Sequence, residues 1–291
     1  MNYVTFHDDL DGYMSAAIAK YSLPETASFY VTQYNKPFPI DLEKVSKDDE
    51  LLIVDFSYSK EITLELREKF GKVITIDHHD SAFENLEGVK DCYLDKRFAG
   101  CVLTWKYFYK DDSIPGVIAI ADDYDRYLHL TGYSYALQAW FKATETAKIM
   151  DKLIDFIDDR ETLYKEIESY KIIADNNEGI AQSFSRSDKF KIVRYDNVYG
   201  LLKVALYNST TLINEIAKAI YDKEELDIDL TISYFITPDA KVVFNLRSPK
   251  RREGLAIQVA KLYGGGGHPN AAGFVLPLAE GINFIGHLLA K

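Results

Sequence analysis

A short β-branched run that ends in acids and imidazoles constrains the fold of this chain more than any other stretch. Val73–Ile76 is typical of a strand, and the sequence Asp-His-His-Asp follows it directly at positions 77–80. Open α/β sheets bind ligands at the carboxyl ends of their strands, so this segment indicates a metal-binding or proton-transferring site at such an edge. The alternative is a turn in which Asp77 is a cap and the histidines are exposed, and the neighbouring segments decide between the two.

Two earlier apolar runs also lead into acids. Tyr3–His7 is typical of a strand and runs into Asp9 and Asp11, while Leu51–Val54 ends at Asp55. Segments with helical character, 13–21 and 60–70, separate these runs from the strands that follow them. A β-α-β alternation with strands this apolar predicts an α/β fold, in which a parallel sheet is covered by helices on both faces.

The pattern of predicted secondary structure changes after about residue 100. Helical patterns dominate from 101 to 184, the polar stretch 185–189 is typical of a linker, and a mixture of strands and helices follows. A chain of 291 residues is long enough for two cores. We therefore predict a parallel-sheet domain over 1–185 and a smaller α/β domain over 190–291, with the functional site in the cleft between them.

Composition limits the classes of partner. A net charge of −11 argues against a protein that coats long DNA or RNA, although a small phosphorylated substrate is compatible if a metal ion supplies positive charge. We expect no membrane association, because no apolar run approaches the ~20 residues that span a bilayer. We also expect a cytoplasmic protein, since the N-terminus lacks the features of a signal peptide and two cysteines form no disulfide framework.

Acids and histidines cluster at four places in the first 130 residues. The clusters are His7-x-Asp9-x-Asp11, Asp55, Asp77-His78-His79 and Asp122-Asp123-Tyr124-Asp125. Each one alone also fits a helix cap or a turn. Together they favour a two-metal site, because neighbouring carboxylates repel unless a cation offsets their charge. Mixed histidine and carboxylate ligands fit Mn²⁺ best, Mg²⁺ prefers oxygen, and Zn²⁺, Fe²⁺ and Co²⁺ stay open.

A second candidate region lies near the end of the chain. Four consecutive glycines, Gly264 to Gly267, precede His268, and Arg247 and Ser248 end an earlier strand. The glycines could be a flexible connector, but glycine also permits close approach of the backbone to a ligand. The arginine, serine and histidine supply donors for a phosphate or a terminal nucleotide.

These motifs together resemble the DHH phosphoesterase superfamily with its DHH-associated (DHHA1) second domain. The residues that carry the resemblance are His7-Asp8-Asp9-Leu10-Asp11-Gly12, Asp55, Asp77-His78-His79 and Gly264 to Gly273. They extend over nearly the whole chain, and the pairing of a DHH motif with a later GGGGH motif is highly specific. The HxDLDG form is most similar to the nanoRNase and cyclic-nucleotide phosphodiesterase branch. RecJ nucleases, cyclic-di-AMP phosphodiesterases and exopolyphosphatases are relatives.

The resemblance implies a first domain that carries two Mn²⁺ ions and a second domain that binds substrate across a cleft. Carried over by position, His7 and Asp9 would hold one ion and Asp11 and His78 the other. Asp55 would bridge them.

A further ligand is implied in the fourth cluster, where the match is loose. Asp122, Asp123 and Asp125 compete for the role. Tyr127 stands where relatives often have another aromatic residue, and its spacing favours Asp123 over Asp125. Both residues are kept as candidates.

We therefore expect a metal-dependent phosphodiesterase that cleaves short oligoribonucleotides or a linear dinucleotide and releases 5′-nucleotides. His79 would lie beside the scissile phosphate, and Asp77 would orient a metal ligand. The far phosphate or terminal nucleotide would be held by residues of the second domain: Arg247, Ser248, Gly264, Gly265, Gly266, Gly267, His268 and Asn270.

Other functions stay open at this point. They include cleavage of cyclic (di)nucleotides and phosphatase activity on 3′-phosphoadenosine 5′-phosphate, pyrophosphate or polyphosphate. The glycine segment argues against small inorganic substrates, which need no nucleotide cradle. A non-catalytic nucleotide-binding regulator is disfavoured, because an acid or histidine occupies every expected ligand position. A homodimer is left open.

Overall fold

The chain folds into two compact units. The structure, a computed structural model, describes residues 1–33, 36–110, 113–128, 130–186 and 188–290. The units are Met1–Ala174 and Asp175–Lys291, and each is built around its own sheet. The division falls inside the long helix α8 (Arg160–Ser185), before the linker expected at 185–189, of which Ser187 lies outside the described residues. Within the described ranges, no helix combines the length and apolar character that crossing a membrane requires.

The first unit contains a five-stranded, entirely parallel sheet. Its strands are β1 (Asn2–His7), β2 (Ser28–Thr32), β3 (Glu50–Val54), β4 (Lys72–Asp77) and β5 (Cys92–Leu94). Its helices are α1 (Leu10–Ser22), α2 (Lys60–Lys69), α3 (Asp80–Asn85), α4 (Gly100–Tyr109), α5 (Gly116–Asp125), α6 (Ser134–Ala143), α7 (Thr146–Asp158) and the first part of α8. The predicted α/β architecture with a parallel sheet is confirmed.

Helices cover this sheet on both faces, which explains why its strands are apolar throughout. Side chains alternate between the two faces of a strand. Leu51 and Ile53 of β3 belong to one buried cluster with Leu66 of α2. Leu52 and Val54 belong to the other cluster, with residues of α1, α4, α5 and α7. Burial on both faces is typical of parallel sheets.

The strand order places a ligand site at one edge of the sheet. The order is β2-β1-β3-β4-β5, so the chain reverses direction across the sheet between β1 and β3. In open α/β sheets, the crevice outside the carboxyl ends of the strands at such a reversal is where ligands bind. The acids and histidines predicted from sequence follow β1, β3 and β4 at this edge.

The second unit contains a six-stranded sheet in the order β10-β11-β9-β8-β7-β6. The strands are β6 (Phe190–Asn197), β7 (Gly200–Asn208), β8 (Leu230–Ile236), β9 (Lys241–Arg247), β10 (Gly266–His268) and β11 (Ala271–Pro277), and the helices are α9 (Ile213–Tyr221), α10 (Leu255–Lys261) and α11 (Leu278–Leu289). All pairs are antiparallel except β7–β8. The predicted hairpin of β8 and β9 is present, and the glycine run contributes a strand, β10, that the sequence did not indicate.

Candidate metal centre

The backbone brings the predicted ligands together at the carboxyl edge of the parallel sheet. Strand β1 ends at His7, and Asp9 is the N-cap of α1, where its carboxylate accepts a hydrogen bond from the Gly12 amide at 2.9 Å. Asp55 follows β3 with a left-handed backbone (φ 51°), which few residues other than glycine, asparagine and aspartate adopt readily. Asp77 ends β4.

One group of potential ligand atoms comes from His7, Asp9 and Asp55. His7 Nδ1 lies 2.7 Å from Asp9 Oδ2 and 4.0 Å from Asp55 Oδ2. Burial works against the charge on His7, but the hydrogen bond to Asp9 and the negative charge of Asp9 outweigh it and raise the pKa of this imidazole. Burial likewise opposes ionisation of Asp9, and His7 more than offsets it, so the pKa of Asp9 is lowered.

A second group comes from Asp11, His78 and Asp125. His78 Nε2 lies 3.5 Å from Asp11 Oδ2, 3.5 Å from Asp125 Oδ2 and 3.2 Å from Asp55 Oδ1. Asp55 therefore directs one oxygen towards each group. These groups contain the residues that the resemblance assigns to the two ions, together with Asp125 of the fourth cluster, and their role as ligands stays a prediction.

Asp55 shows why the residues fit a divalent cation. Its side chain is 1% exposed, and His78 Nε2 lies 3.2 Å from its Oδ1. Burial and the charges of Asp11, Asp9 and Asp125 raise its pKa well above the usual carboxyl value. Burial and the charges of Asp11 and Asp9 raise the pKa of Asp125 in the same way. Several buried carboxylates that oppose one another's ionisation are the donor set that a divalent cation stabilises.

Asp77 and His79 form a buried pair beside these groups. Asp77 Oδ1 lies 2.7 Å from His79 Nδ1 and accepts hydrogen bonds from the backbone amides of His78 and His79 at 2.7 and 3.2 Å. Burial would raise the pKa of Asp77, but the charge and hydrogen bond of His79 lower it to about 2. Burial opposes protonation of His79. The charge and hydrogen bond of Asp77 outweigh this effect and raise the pKa of His79. Asp77 thus orients the imidazole of His79 and holds the backbone of His78 and His79 in place.

The start of helix α4 contributes contacts that the sequence did not predict. The amides of Gly100 and Cys101 donate to the two carboxylate oxygens of Asp11 at 2.6 and 2.8 Å. A helix N-terminus favours negative charge, so α4 holds the Asp11 carboxylate in place. A Cβ atom on Gly100 would lie 2.6 Å from Cβ of Asp55, so only glycine allows this approach. The small pair Ala99-Gly100 was the available sequence signal.

The three acids of the fourth cluster have different surroundings. The Asp123 carboxylate accepts hydrogen bonds from the amides of Leu130 and Thr131 and from the Thr131 hydroxyl, at 2.7, 3.0 and 2.8 Å. Asp122 accepts a hydrogen bond from the Ala99 amide at 2.7 Å. Asp125 is the member that joins Asp11 and His78. The spacing argument preferred Asp123, but the geometry leads us to carry Asp125 forward as the proposed ligand.

In the second unit, Arg247 is held by two hydrogen bonds. Its Nε donates to Asn214 Oδ1 of α9 at 2.6 Å, and its Nη1 donates to the carbonyl of Leu246 at 2.8 Å. Ser248 is buried, and its hydroxyl donates to Asn270 Oδ1 at 3.0 Å and accepts from the Ala256 amide at 3.3 Å. Ser248 and Asn270 therefore tie the end of β9 to the loop before β11. Direct contact of these two side chains with substrate stays a prediction.

The glycine run forms a turn and the edge strand β10. Added Cβ atoms on Gly265 and Gly267 would meet the carbonyl oxygens of Gly273 and Ala271 at 2.1 and 2.6 Å, whereas at Gly264 and Gly266 they would meet open space. Two of the glycines are thus required by packing, and the other two leave the surface open. His268 is the last residue of β10 and is partly exposed.

No protein-family model matches the chain. It is 27% identical over 256 residues to a mimivirus protein, uncharacterized protein R106 of Acanthamoeba polyphaga mimivirus. The match covers 82% of this chain and 56% of that protein, so the chain spans little more than half the length of this relative.

Solved structures share the fold at low identity. A pGpG-specific phosphodiesterase, PggH from Vibrio cholerae, matches with a TM-score of 0.56 and 15% identity over 99% of this chain and 97% of that one. The exonuclease RecJ bound to manganese matches with a TM-score of 0.52 and 15% identity over 99% and 89% of the two chains. RecJ from Thermus thermophilus, in complex with Mn²⁺, has the same TM-score at 14% identity and covers 99% and 51%. The chain therefore shares the fold of these phosphodiesterase and exonuclease structures.

Proposed function

We propose that this chain is a metal-dependent phosphodiesterase that hydrolyses short oligoribonucleotides or linear dinucleotides to 5′-nucleotides. One observation carries the proposal: two groups of ligand atoms, His7 with Asp9 and Asp11 with His78 and Asp125, share the buried carboxylate of Asp55. Fold neighbours described as a phosphodiesterase and an exonuclease support phosphodiester chemistry. The nanoRNase branch and the cytoplasmic location stay predictions.

The proposed ligands divide over two sites. His7 and Asp9 would hold one ion, Asp11, His78 and Asp125 the other, and Asp55 both. Mn²⁺ is the ion we propose, because the ligands mix imidazole with carboxylate and because RecJ is described as bound to manganese. When bound, two such ions neutralise charge on a phosphoryl group and lower the pKa of a bound water.

The other residues of the centre position the reacting groups. His79, whose Nδ1 lies 2.7 Å from the Asp77 carboxylate, would lie beside the scissile phosphate and donate a hydrogen bond to it. The Asp77 carboxylate keeps the backbone of both histidines in place. In the second unit, Arg247, His268 and the backbone of the glycine run supply the donors proposed for the far phosphate.

Hydrolysis of a substrate panel with added Mn²⁺ tests this function. The panel contains di- to pentaribonucleotides, a cyclic dinucleotide, 3′-phosphoadenosine 5′-phosphate and pyrophosphate. We expect turnover of the linear di- to pentanucleotides, and loss of turnover in His78→Ala with the fold retained by circular dichroism. Turnover of pyrophosphate alone by the wild type, or of no substrate, would overturn the proposal. Turnover of every substrate by His78→Ala would overturn it as well.

A further inference from the structure

Helix α4 begins beside the candidate metal centre without a cap of its own. Its N-cap residue is Ala99, whose side chain has no atom that can accept a hydrogen bond. The first amides of an α-helix have no partner within the helix, and a buried amide needs an acceptor. Ala99 and the next residue, Gly100, are both buried. The acceptors for the start of α4 must therefore come from other elements of the unit.

Two carboxylates from outside α4 supply these acceptors. Asp11 of α1 accepts the amides of Gly100 and Cys101, one on each oxygen, at 2.6 and 2.8 Å. Asp122 of α5 accepts the amide of Ala99 on its Oδ1 at 2.7 Å. Three successive amides of α4 are thus bound by side chains of two other helices. The start of α4 joins α1 to α5 at the edge of the centre.

Arg126 holds the Asp122 carboxylate. The two residues are one helical turn apart, a spacing at which an aspartate and an arginine can pair on the same face of a helix. Arg126 Nη1 lies 3.2 Å from Asp122 Oδ2 and 3.5 Å from its Oδ1. The guanidinium and the Ala99 amide together engage both oxygens of Asp122. The orientation of this carboxylate is therefore fixed from two sides.

These contacts distinguish Asp122 from the proposed ligands. The sequence left Asp122 as one of three acids that compete for a ligand role. Within the described ranges, Asp122 belongs to none of the groups of atoms that could hold a metal ion, whereas Asp125 belongs to one of them. Asp122 can act on the centre through α4, without contact to an ion.

The start of α4 contacts two of the proposed ligands. Its amides bind Asp11, and an added Cβ on Gly100 would lie 2.6 Å from Cβ of Asp55. A shift of this helix end would therefore change the positions of both carboxylates. Residues that orient metal ligands without touching the metal are typically worth 10- to 100-fold in metal affinity or activity.

We infer that Asp122, held by Arg126, is a positioning residue of the metal centre. By binding the Ala99 amide it sets the position of the α4 N-terminus, which in turn positions Asp11 and Asp55. The inference rests on the proposed function, since it requires ions at the centre. It extends the centre to a residue pair that contacts no ion.

Two substitutions of Asp122 separate positioning from ligation. Asp122→Ala removes the acceptor and should weaken binding of Mn²⁺ to the full chain by roughly 10- to 100-fold in a calorimetric titration. Asp122→Asn removes the charge but keeps an oxygen that can accept the Ala99 amide, so most of the affinity should be retained. An equal loss in both variants would assign the effect to the charge or to ligation. That result, or no loss in Asp122→Ala, would overturn the inference.

Arg126→Met gives a second test that leaves Asp122 in place. It removes the guanidinium that holds the carboxylate, so it should weaken Mn²⁺ binding by less than Asp122→Ala does. The double variant should bind Mn²⁺ as Asp122→Ala does, because the two side chains act as one unit. Additive losses would give Arg126 a separate role and remove it from the inference.

Asp159→Ala is the matched control for helix capping. The Asp159 carboxylate accepts the amides of Glu161 and Thr162 at the start of α8, and within the described part of the chain it belongs to no potential metal group. We expect this substitution to lower Tm and to leave Mn²⁺ affinity unchanged. A loss of affinity equal to that of Asp122→Ala would show that metal binding only follows fold stability, and would overturn the inference.

Hydrogen exchange in the metal-free protein separates this inference from the proposed function. Asp122→Ala should speed exchange of the Gly100 and Cys101 amides by roughly fivefold, the effect of losing one helix cap, and Asp159→Ala should not. Unchanged exchange in Asp122→Ala would overturn the inference even if the chain is a phosphodiesterase. A wild type that binds Mn²⁺ but hydrolyses no substrate would overturn the proposed function alone. A wild type that binds no Mn²⁺ would overturn both.

Discussion

Asp55 combines a left-handed backbone with a carboxylate that is buried among other carboxylates. Without a cation this arrangement costs free energy, because burial and the charges of Asp11, Asp9 and Asp125 all oppose ionisation. With a cation the same charges become attractive. Residues held in unfavourable states of this kind are typical of functional sites.

Asp55→Asn should therefore make the metal-free protein more stable. Asparagine tolerates the positive φ and removes one charge from the cluster. We expect its Tm in a chelator to exceed that of wild type, by about 2–4 °C for each kcal/mol of repulsion removed. Added Mn²⁺ should raise the Tm of the wild type more than that of the variant. A lower Tm for the variant in chelator would contradict the account of this residue.

Asp125 and Asp123 are separated by a matched pair of substitutions. Asp125→Asn should lower kcat/KM by more than about 100-fold, since even residues that only support metal ligands are worth 10–100-fold. Asp123→Asn weakens the hydrogen bonds to Leu130 and Thr131 and should cost about 1–2 kcal/mol of unfolding free energy while activity persists. Kinetics and urea unfolding measure the two effects, and the reverse pattern would restore Asp123 as the ligand.

The sequence could predict the positions of His7, Asp55 and His78 because each follows or ends a strongly apolar strand. Between Asp123 and Asp125 it offered only the spacing to Tyr127, which favoured Asp123. That choice depends on the amides of Leu130 and Thr131, which occupy the Asp123 carboxylate and belong to no recognisable motif.

At the scale of elements, the N-terminus of α4 packs closely against the carboxyl edge of the parallel sheet. Its first residue is Gly100, and the amides of Gly100 and Cys101 bind Asp11. The close approach to Asp55 depends on the absence of a side chain at this position.

Gly100→Ala should displace Asp55 and lower activity by about 100-fold, the effect expected from a misplacement of roughly 1 Å. Gly116→Ala is the control, because Gly116 is likewise the first residue of a helix and an added Cβ would come no closer than 3.9 Å to the Tyr164 hydroxyl. Steady-state kinetics with saturating Mn²⁺ measures both. Full activity in Gly100→Ala would show that the contact is not required.

The basic turn after β9 is a structural element of the second unit. Arg252 Nε donates to Asp229 at 2.8 Å, and the other oxygen of Asp229 accepts the Lys203 amide at 2.8 Å. Arg251 lies 2.9 Å from Asp227 and 3.5 Å from Asp229. These contacts neutralise much of the positive charge of this turn.

Asp229→Asn should destabilise the fold by about 1–2 kcal/mol at neutral pH, since charge-assisted hydrogen bonds are lost. Burial opposes ionisation of Asp229, but the Lys203 amide and Arg252 outweigh it and lower its pKa. The stabilisation is therefore present above the unfolded pKa of about 3.9 and is lost as pH falls through the lower folded value. Urea unfolding of both proteins from pH 7 to pH 3 should show the difference shrinking, and a constant difference would contradict this assignment.

Across the whole molecule, the sequence predicted the parallel sheet better than the second one. In the first unit, apolar strands alternate with helices that are their neighbours in the chain, so the arrangement of the sheet can be predicted from local sequence patterns. In the second unit, β11 pairs with β9 across the helix and glycine run between them, and β10 is a strand of three residues, two of them glycines. Such pairings depend on contacts that are distant in sequence and have no local signature.

We propose that one centre in the first unit binds two divalent ions through a shared Asp55. Titration of metal-free protein with Mn²⁺, followed by calorimetry and by metal analysis of the separated protein, tests it most directly. We predict two ions per chain for the wild type, and weaker or fewer ions for Asp55→Asn. Failure of the wild type to bind Mn²⁺, or binding by Asp55→Asn as tight as that of the wild type, would rule out the shared site.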